Sequence, residues 1–183
     1  DYKCVGEKVM KEKTVTPLDF KSIVNSIYTV SEGSFVELEK AVEIVEYPKG
    51  CILSEEGKIE RYLYFLAKGL VRAYTIRNGE EVTLWFGMEG SIVCSMRNYI
   101  EKKPSYETID LLENSLFYRV LAEDIESLYE QNIEWANWGR KYIEHEVINV
   151  ENRLIEQQFL SATERYHSLI KNNPLILQRV PLG

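Results

Sequence analysis

Cysteine and histidine are both scarce in this chain, which has Cys4, Cys51, Cys94, His145 and His167 among its 183 residues. The cysteines are odd in number and widely spaced, with no Cys-x-x-Cys pair and no histidine at ligand spacing. That argues against a disulfide framework and against zinc or iron–sulfur chemistry, and no metal or cofactor is expected. No apolar run reaches the ~18–20 residues that a bilayer requires, so no membrane partner is expected. Asp1 to Thr14 lacks the basic-then-apolar order of a secretory signal, which with the cysteine usage points to a reducing cytoplasm. Positive charge is short as well. The 22 Lys+Arg stand against 29 Asp+Glu, a formal charge of −7, and a nucleic-acid backbone repels such a chain. No Gly-x-Ser-x-Gly elbow, phosphate-cradling glycine loop or Ser/His/Asp arrangement occurs, so no catalytic residue is assigned and no enzyme is expected.

What is present is the composition of a globular chain, 45% hydrophobic and 28% charged, long enough for one core with an appendage. Asp1 to Val15 mixes Lys and Glu with few apolar residues and reads as a mobile lead-in or an edge strand. Thr16 and Pro17 predict an N-cap and first helical position for a helix carrying Leu18, Phe20, Ile23, Val24 and Ile27. Ser34 with Glu37 predicts a capping box for a second, carrying Val36, Leu38, Ala41, Val42 and Val45. From Tyr47 the texture changes: six of the ten glycines (Gly50, Gly57, Gly69, Gly79, Gly87 and Gly90) punctuate short runs rich in β-branched and aromatic residues. These runs are Cys51–Leu53, Tyr62–Leu66, Leu70–Ile76 and Val82–Phe86, with Asn78-Gly79 as a hairpin signal between the last two. A second hairpin is predicted from Thr108–Leu112 and Leu116–Leu121 around Glu113-Asn114-Ser115. Strands so spaced predict a small antiparallel sandwich or roll, a mainly β fold with flanking helices (α+β).

Asn132 to Phe159 holds no proline and only Gly139, a helix of about 42 Å at 1.5 Å per residue. Ile133, Ala136, Arg140, Ile143, Val147, Val150 and Leu154 recur in steps of three and four, the seam of a two-stranded coiled coil with a polar flaw at Arg140 and a frayed end at Gln157. Ile148, Ile155 and Phe159 form a second apolar line. Packing of both lines on the chain's own sheet is one reading; self-association through the seam, as a parallel two-fold dimer, is the one expected. Ser161 with Glu164 predicts a capping box for a last helix that carries Tyr166, Leu169 and Ile170 and ends before Asn172-Asn173-Pro174.

This order of elements resembles the sensor half of the cyclic-AMP receptor and fumarate–nitrate regulator family (Crp/Fnr). Tyr62-Leu63-Tyr64-Phe65-Leu66-Ala67-Lys68-Gly69-Leu70-Val71-Arg72 is similar to the family's strand-turn-strand, and Glu80-Glu81-Val82-Thr83-Leu84-Trp85-Phe86 to its next strand. Lys103-Pro104-Ser105, Leu160-Ser161-Ala162-Thr163-Glu164-Arg165-Tyr166 and Leu177-Gln178-Arg179-Val180-Pro181-Leu182 resemble strings of the branch common in Bacteroidetes. The resemblance runs from Leu18 to Leu182. It implies a double-stranded β-helix or jelly-roll domain of cyclic-nucleotide-binding-like type followed by a long dimerisation helix. The expected organisation is a lead-in over 1–15, the sensor roll over 16–130, the dimerisation helix over 131–159, and a short helix and linker over 160–183. In the family a winged helix-turn-helix follows, with its recognition helix in the major groove. No such segment follows here, so the expectation is a sensor and dimerisation half that reaches DNA only through an absent C-terminal domain. Its expected partners are a second copy and an unidentified small-molecule effector.

Family members that bind cyclic AMP hold its phosphate and ribose with backbone N–H groups, an Arg, a Ser and a Glu on one loop of the roll. Laid on this sequence without gaps, that loop runs from Val93 through Cys94, Ser95 and Met96 to Pro104 and Ser105. Val93 and Cys94 fall where the Gly-Glu pair belongs, Pro104 replaces the arginine, and only Ser105 keeps its type. The family's long-helix contacts to the base fall near Glu146 and Val150. Losing the arginine removes the phosphate's counter-charge, so cyclic AMP is not the expected ligand. Arg97, Lys102 and Lys103 read either as substitute cations or as a solvated surface. Tyr64, Tyr74, Trp85, Tyr99 and Tyr106 are candidate lining residues, each better explained by core or surface packing, and Cys94 and Met96 are redox-sensitive if exposed. Two other classes compete: a standalone binding or scaffolding module, and a cupin-type metalloenzyme. The latter needs a histidine cluster on the strands, and neither histidine lies between Tyr47 and Leu121.

Overall fold

The structure, a computed structural model, describes residues 17–172 and 176–180. Its first helix, α1 (Phe20–Ile27), is capped by Asp19, which accepts the Ser22 N–H at 2.9 Å. Pro17 and Leu18 therefore precede the helix, and Leu18 N–H donates to Ala67 O at 3.0 Å instead; the predicted cap, Thr16, lies outside the described residues. The cap of α2 (Glu32–Glu39) is Ser31 and not Ser34, which sits inside the helix and turns its hydroxyl to Glu134. Turn bonds from Ala41 N–H and Val42 N–H then stop α2, and Val45 belongs to a strand.

Eight strands follow: β1 (Glu43–Tyr47), β2 (Ile52–Ser54), β3 (Tyr62–Lys68), β4 (Val71–Arg77), β5 (Glu80–Gly87), β6 (Ile92–Val93), β7 (Thr108–Leu111) and β8 (Ser115–Leu121). They form two antiparallel four-stranded sheets, ordered β1-β8-β3-β6 and β2-β7-β4-β5. The hairpin at Asn78-Gly79 forms with positive φ at both residues, 54° and 84°, as its turn chemistry demands. The second predicted hairpin does not form. β8 pairs with β1 and β3, whereas β7 pairs with β2 and β4, so Leu112–Asn114 is a corner between sheets. Lys49 N–H bonds Asn114 Oδ1 there at 2.9 Å, and Gly50 N–H bonds Leu111 O at 2.7 Å. A ribbon of strands folded over at such corners is the jelly-roll that the resemblance implies.

Alternation along β3 and β8 gives the first sheet two buried faces. Tyr64, Leu66 and Phe117 point into the roll. Leu63, Phe65 and Val120 point the other way and are buried too, with the Phe20 ring 5.1 Å from those of Phe65 and Tyr118. Behind β8 the chain continues as α3 (Ala122–Gln131) and α4 (Ile133–Phe159). The first turns of α4 are fixed by two tryptophans that lie off the seam. Trp135 Nε1 donates to Ser34 O at 3.1 Å and Trp138 Nε1 to Val24 O at 2.9 Å, both rings fully buried. Burial of each ring is worth roughly 2–3 kcal/mol.

The chain divides into two units, the first ending at Trp138 and the second starting at Gly139. The second holds the rest of α4, then α5 (Ala162–Asn172) and α6 (Ile176–Arg179). The predicted capping box closes as expected: Glu164 N–H donates to Ser161 Oγ at 3.3 Å and Ser161 N–H to Glu164 Oε2 at 2.8 Å. Along α4 the seam lies open, with Ile133 74%, Val147 59%, Val150 53% and Leu154 51% exposed. Ala136 and Ile143 are half-buried and Arg140 is exposed. Ile148, Ile155 and Phe159 are exposed as well. Cys51 is disulfide-bonded, whereas the sequence argued against a disulfide framework. Cys94 is a free thiol. Among the described residues no helix is long and apolar enough to cross a membrane.

Candidate ligand site in the roll

The inward faces of the two sheets meet in a core of Val45, Tyr47, Tyr64, Leu66, Val71, Ala73, Val93, Ile109, Leu111 and Phe117. The rings of Tyr47, Tyr64 and Phe117 lie 5.6–6.5 Å apart, within the range of favourable edge and tilted packing. Burial pushes the Tyr64 phenol far above its ordinary range and that of Tyr47 in the same direction. Trp85 packs half-buried against this core, and Tyr74 is half-buried on β4 with the Arg72 guanidinium 4.4 Å above its ring. Tyr106 is exposed.

Beyond β6 the chain leaves the sheet as the loop that the resemblance singles out. It contains a π-helical turn, Arg97–Glu101, closed by Lys102 in the left-handed region at φ 55°. Asn98 stitches it down: its Nδ2 donates to Lys58 O at 3.2 Å and Lys103 O at 2.5 Å, and its Oδ1 accepts Glu60 N–H at 3.2 Å. Tyr99, also buried, shares a 2.7 Å hydrogen bond with Tyr129 of α3. Burial pushes the Tyr99 phenol up to about 12 and that of Tyr129 further. Lys102 adds an ion pair to Glu126 of α3.

The candidate residues are distributed as follows. Val93 is in the core, Ser95 is buried, and Cys94 and Met96 are half-buried at the start of the loop. Pro104 is exposed. Ser105 is buried, but its hydroxyl donates to Glu107 O and accepts Glu107 N–H at 3.0 Å, while its backbone bonds Lys58 O and Gly57 N–H at 3.0 Å each. The one residue that keeps the cyclic-nucleotide type thus satisfies its own turn. The three cations considered as substitutes are each paired: Arg97 and Lys103 with Glu101 at 3.4 and 3.5 Å, and Lys102 with Glu126. Glu146, half-buried, and Val150, exposed, belong to the second unit, where Glu146 accepts the Asn149 amide at 3.1 Å. Among the described residues no group of three or more His, Cys, Asp or Glu gathers to hold a metal.

Sequence reasoning missed Asn98 and Tyr129, whose partners, Lys103 apart, lie 30 to 40 residues away, and for which no local pattern exists. It also missed Arg119, for which a pattern did exist: period two from the inward Phe117.

Residues 44–132 match the family described as the cyclic nucleotide-binding domain. Among solved structures, a cyclic nucleotide-binding domain from Methylobacillus flagellatus superposes with a TM-score of 0.64 at 19% identity, covering 76% of this chain and 80% of that one. The catabolite activator protein of Thermus thermophilus gives 0.61 at 19% identity, covering 84% and 71%. A protein from Eubacterium rectale assigned as a transcriptional regulator of the Crp/Fnr family gives 0.66 at 15% identity, covering 80% and 69%. No curated protein matches the chain. At these identities the likeness to solved structures is one of fold. The roll is thus a cyclic nucleotide-binding domain in class, with structural neighbours among Crp/Fnr regulators.

Proposed function

We propose that the chain is the effector-sensing and dimerising part of a Crp/Fnr-like transcription regulator, with a non-enzymatic role and an effector other than cyclic AMP. The single observation that carries the reading is the open seam of α4, where Ile133, Val147, Val150 and Leu154 expose apolar side chains at coiled-coil spacing. A second copy covers that row. An effector entering the roll biases how the two helices pack, and the capped junction Leu160–Arg165 passes the bias to a DNA-reading domain as a population shift. The excess of acidic over basic residues, a formal charge of −7, fits a part that leaves phosphate contacts to another. The ligand's chemistry is read from the loop: with an exposed proline in place of the phosphate-binding arginine and the Ser105 hydroxyl committed to Glu107, a cyclic phosphate meets neither the arginine nor the free serine hydroxyl that the resemblance calls for.

The test is oligomeric state. Light scattering at tens of micromolar is expected to give twice the chain mass for the native protein, and the single mass for the double variant Val147→Glu, Leu154→Glu with its circular dichroism unchanged. A native monomer removes the helix pair, and the proposed route of signalling with it.

A further inference from the structure

The strand register turns one cation into the roll. Arg119 lies two residues past the core residue Phe117 on β8, so alternation puts it on the same inward face, opposite Glu43 of β1 and Tyr64 of β3. Its Nη1 donates to the Tyr47 hydroxyl at 2.8 Å, and its guanidinium lies 4.4 Å above the Tyr62 ring. A charge turned into an aromatic roll needs a partner, and Glu43 provides one from the rim, with its side chain 55% exposed against 23% for Arg119.

The manner of pairing separates this arginine from the other cross-strand arginine in the roll. Arg72 grips Asp110 as a fork, Nε to Oδ1 at 3.1 Å and Nη2 to Oδ2 at 2.8 Å, and reaches Glu81 besides at 2.7 Å. Arg119 meets a single oxygen of Glu43, with Nε at 2.7 Å and Nη2 at 2.6 Å from the same Oε2. The two-oxygen geometry that makes arginine–carboxylate pairs strong is therefore used at Arg72 and left unused at Arg119.

We propose that Arg119 is the anion anchor of the effector site, and that the effector is a small aromatic carboxylic acid whose carboxylate displaces that of Glu43. The free acid offers both oxygens to the guanidinium and a flat apolar body to the tyrosines around it. Tyr64 pairs with Arg119 on one side and with Val93 on the other, so Arg119 stands two strand spacings, about 10 Å, from the point where the loop leaves the sheet. A ligand held there extends toward Cys94 and Ser95. The inference rests on the reading of the roll as an effector-sensing domain and adds the ligand's chemical class.

The experiment is thermal denaturation of the full chain at fixed ionic strength with benzoate, its uncharged counterpart benzamide, and chloride as the salt control. Benzoate alone is expected to raise the melting temperature saturably. Glu43→Gln removes the internal competitor and is expected to lower the benzoate concentration at half-effect about tenfold, and Arg119→Gln to abolish the effect. Should Arg119→Gln fail to fold, the Arg119 Nε–H resonance of the native protein provides the second readout and is expected to shift with benzoate and not with benzamide. No benzoate effect in either the native protein or Glu43→Gln, an equal effect in Arg119→Gln, or an unmoved Nε–H resonance overturns the assignment. The mass of the seam variant decides the dimer separately, whichever way benzoate falls.

Discussion

At Gly69 the backbone leaves no room for a side chain. A Cβ there would lie 2.6 Å from Ser115 Cβ and 2.9 Å from Ser115 Cα, with φ at +121°. The neighbour is a strand and cannot step aside. At Gly79 φ is +84°, but the space is open. Gly79→Ala therefore meets only the left-handed penalty of about 1–2 kcal/mol, whereas Gly69→Ala adds steric overlap and is expected to cost about 3 kcal/mol or more. Thermal melts check the order: each kcal/mol is worth about 2–4 °C in a chain of this size, and equal losses at the two glycines would show that Ser115 yields. The two positions also differ in legibility. Asn78-Gly79 announces itself, because both residues of its turn need positive φ. The need for glycine at 69 arises from Ser115, which reaches it only through the folded sheet. Asn98 is similar: its three bonds to Lys58, Glu60 and Lys103 make it the fastener of the loop, yet nothing in its surrounding sequence distinguishes it from a surface asparagine.

Among the elements, those whose stabilising contacts are local read correctly. The Ser161–Glu164 box needs only its own four residues, and the glycine-bounded strands carry their own alternation. Elements defined by distant partners did not read correctly: β7 and β8 look like a hairpin, but each is claimed by a different sheet. On α4 the heptad seam is regular, yet the first turns are held by Trp135 and Trp138 through carbonyls of α1 and α2, a face that lies outside the seam. The loop after β6 was legible by what it lacks. Pro104 offers neither charge nor N–H, and the structure adds that Ser105 is already bonded. Cyclic AMP is accordingly expected to leave the melting temperature unchanged. A ligand at a hundred times its dissociation constant stabilises by about 2.7 kcal/mol, well within reach of a thermal-shift measurement, so a saturable rise with cyclic AMP would show that another cation of the loop abandons its carboxylate to hold the phosphate.

For the molecule as a whole, titration sets two unequal limits. On the acid side, hydrogen bonds hold several carboxyls below their ordinary values: Asp19 through the Ser22 hydroxyl and N–H, Glu134 through the Ser31 and Ser34 hydroxyls, and Glu164 through Ser161. A lowered value means that the fold holds fewer protons than the unfolded chain. The stabilisation is thus complete above the ordinary glutamate value of 4.5 and lost as pH falls through the lowered one. These groups face solvent, which keeps their contribution small. The alkaline side differs, because its groups are buried. The Tyr99 phenol is raised by burial from an ordinary 10.0 to about 12, and Tyr64 and Tyr129 move the same way. The fold keeps these protons after the unfolded chain has released them, so this contribution is complete below pH 10 and lost as pH climbs through the raised values. For Tyr99 alone that is roughly 2–3 kcal/mol, a large share of the 5–15 kcal/mol typical of a domain. Melting temperature is therefore expected to fall gently below pH 4.5 and steeply above pH 10. Tyr99→Phe, though weaker at neutral pH for want of its bond to Tyr129, is expected to show a shallower alkaline limb. Melts followed by circular dichroism across the range check both limbs. If Tyr99→Phe falls as steeply as the native chain, the Tyr99–Tyr129 clasp between loop and α3 is open to water, and the loop is not held against that helix.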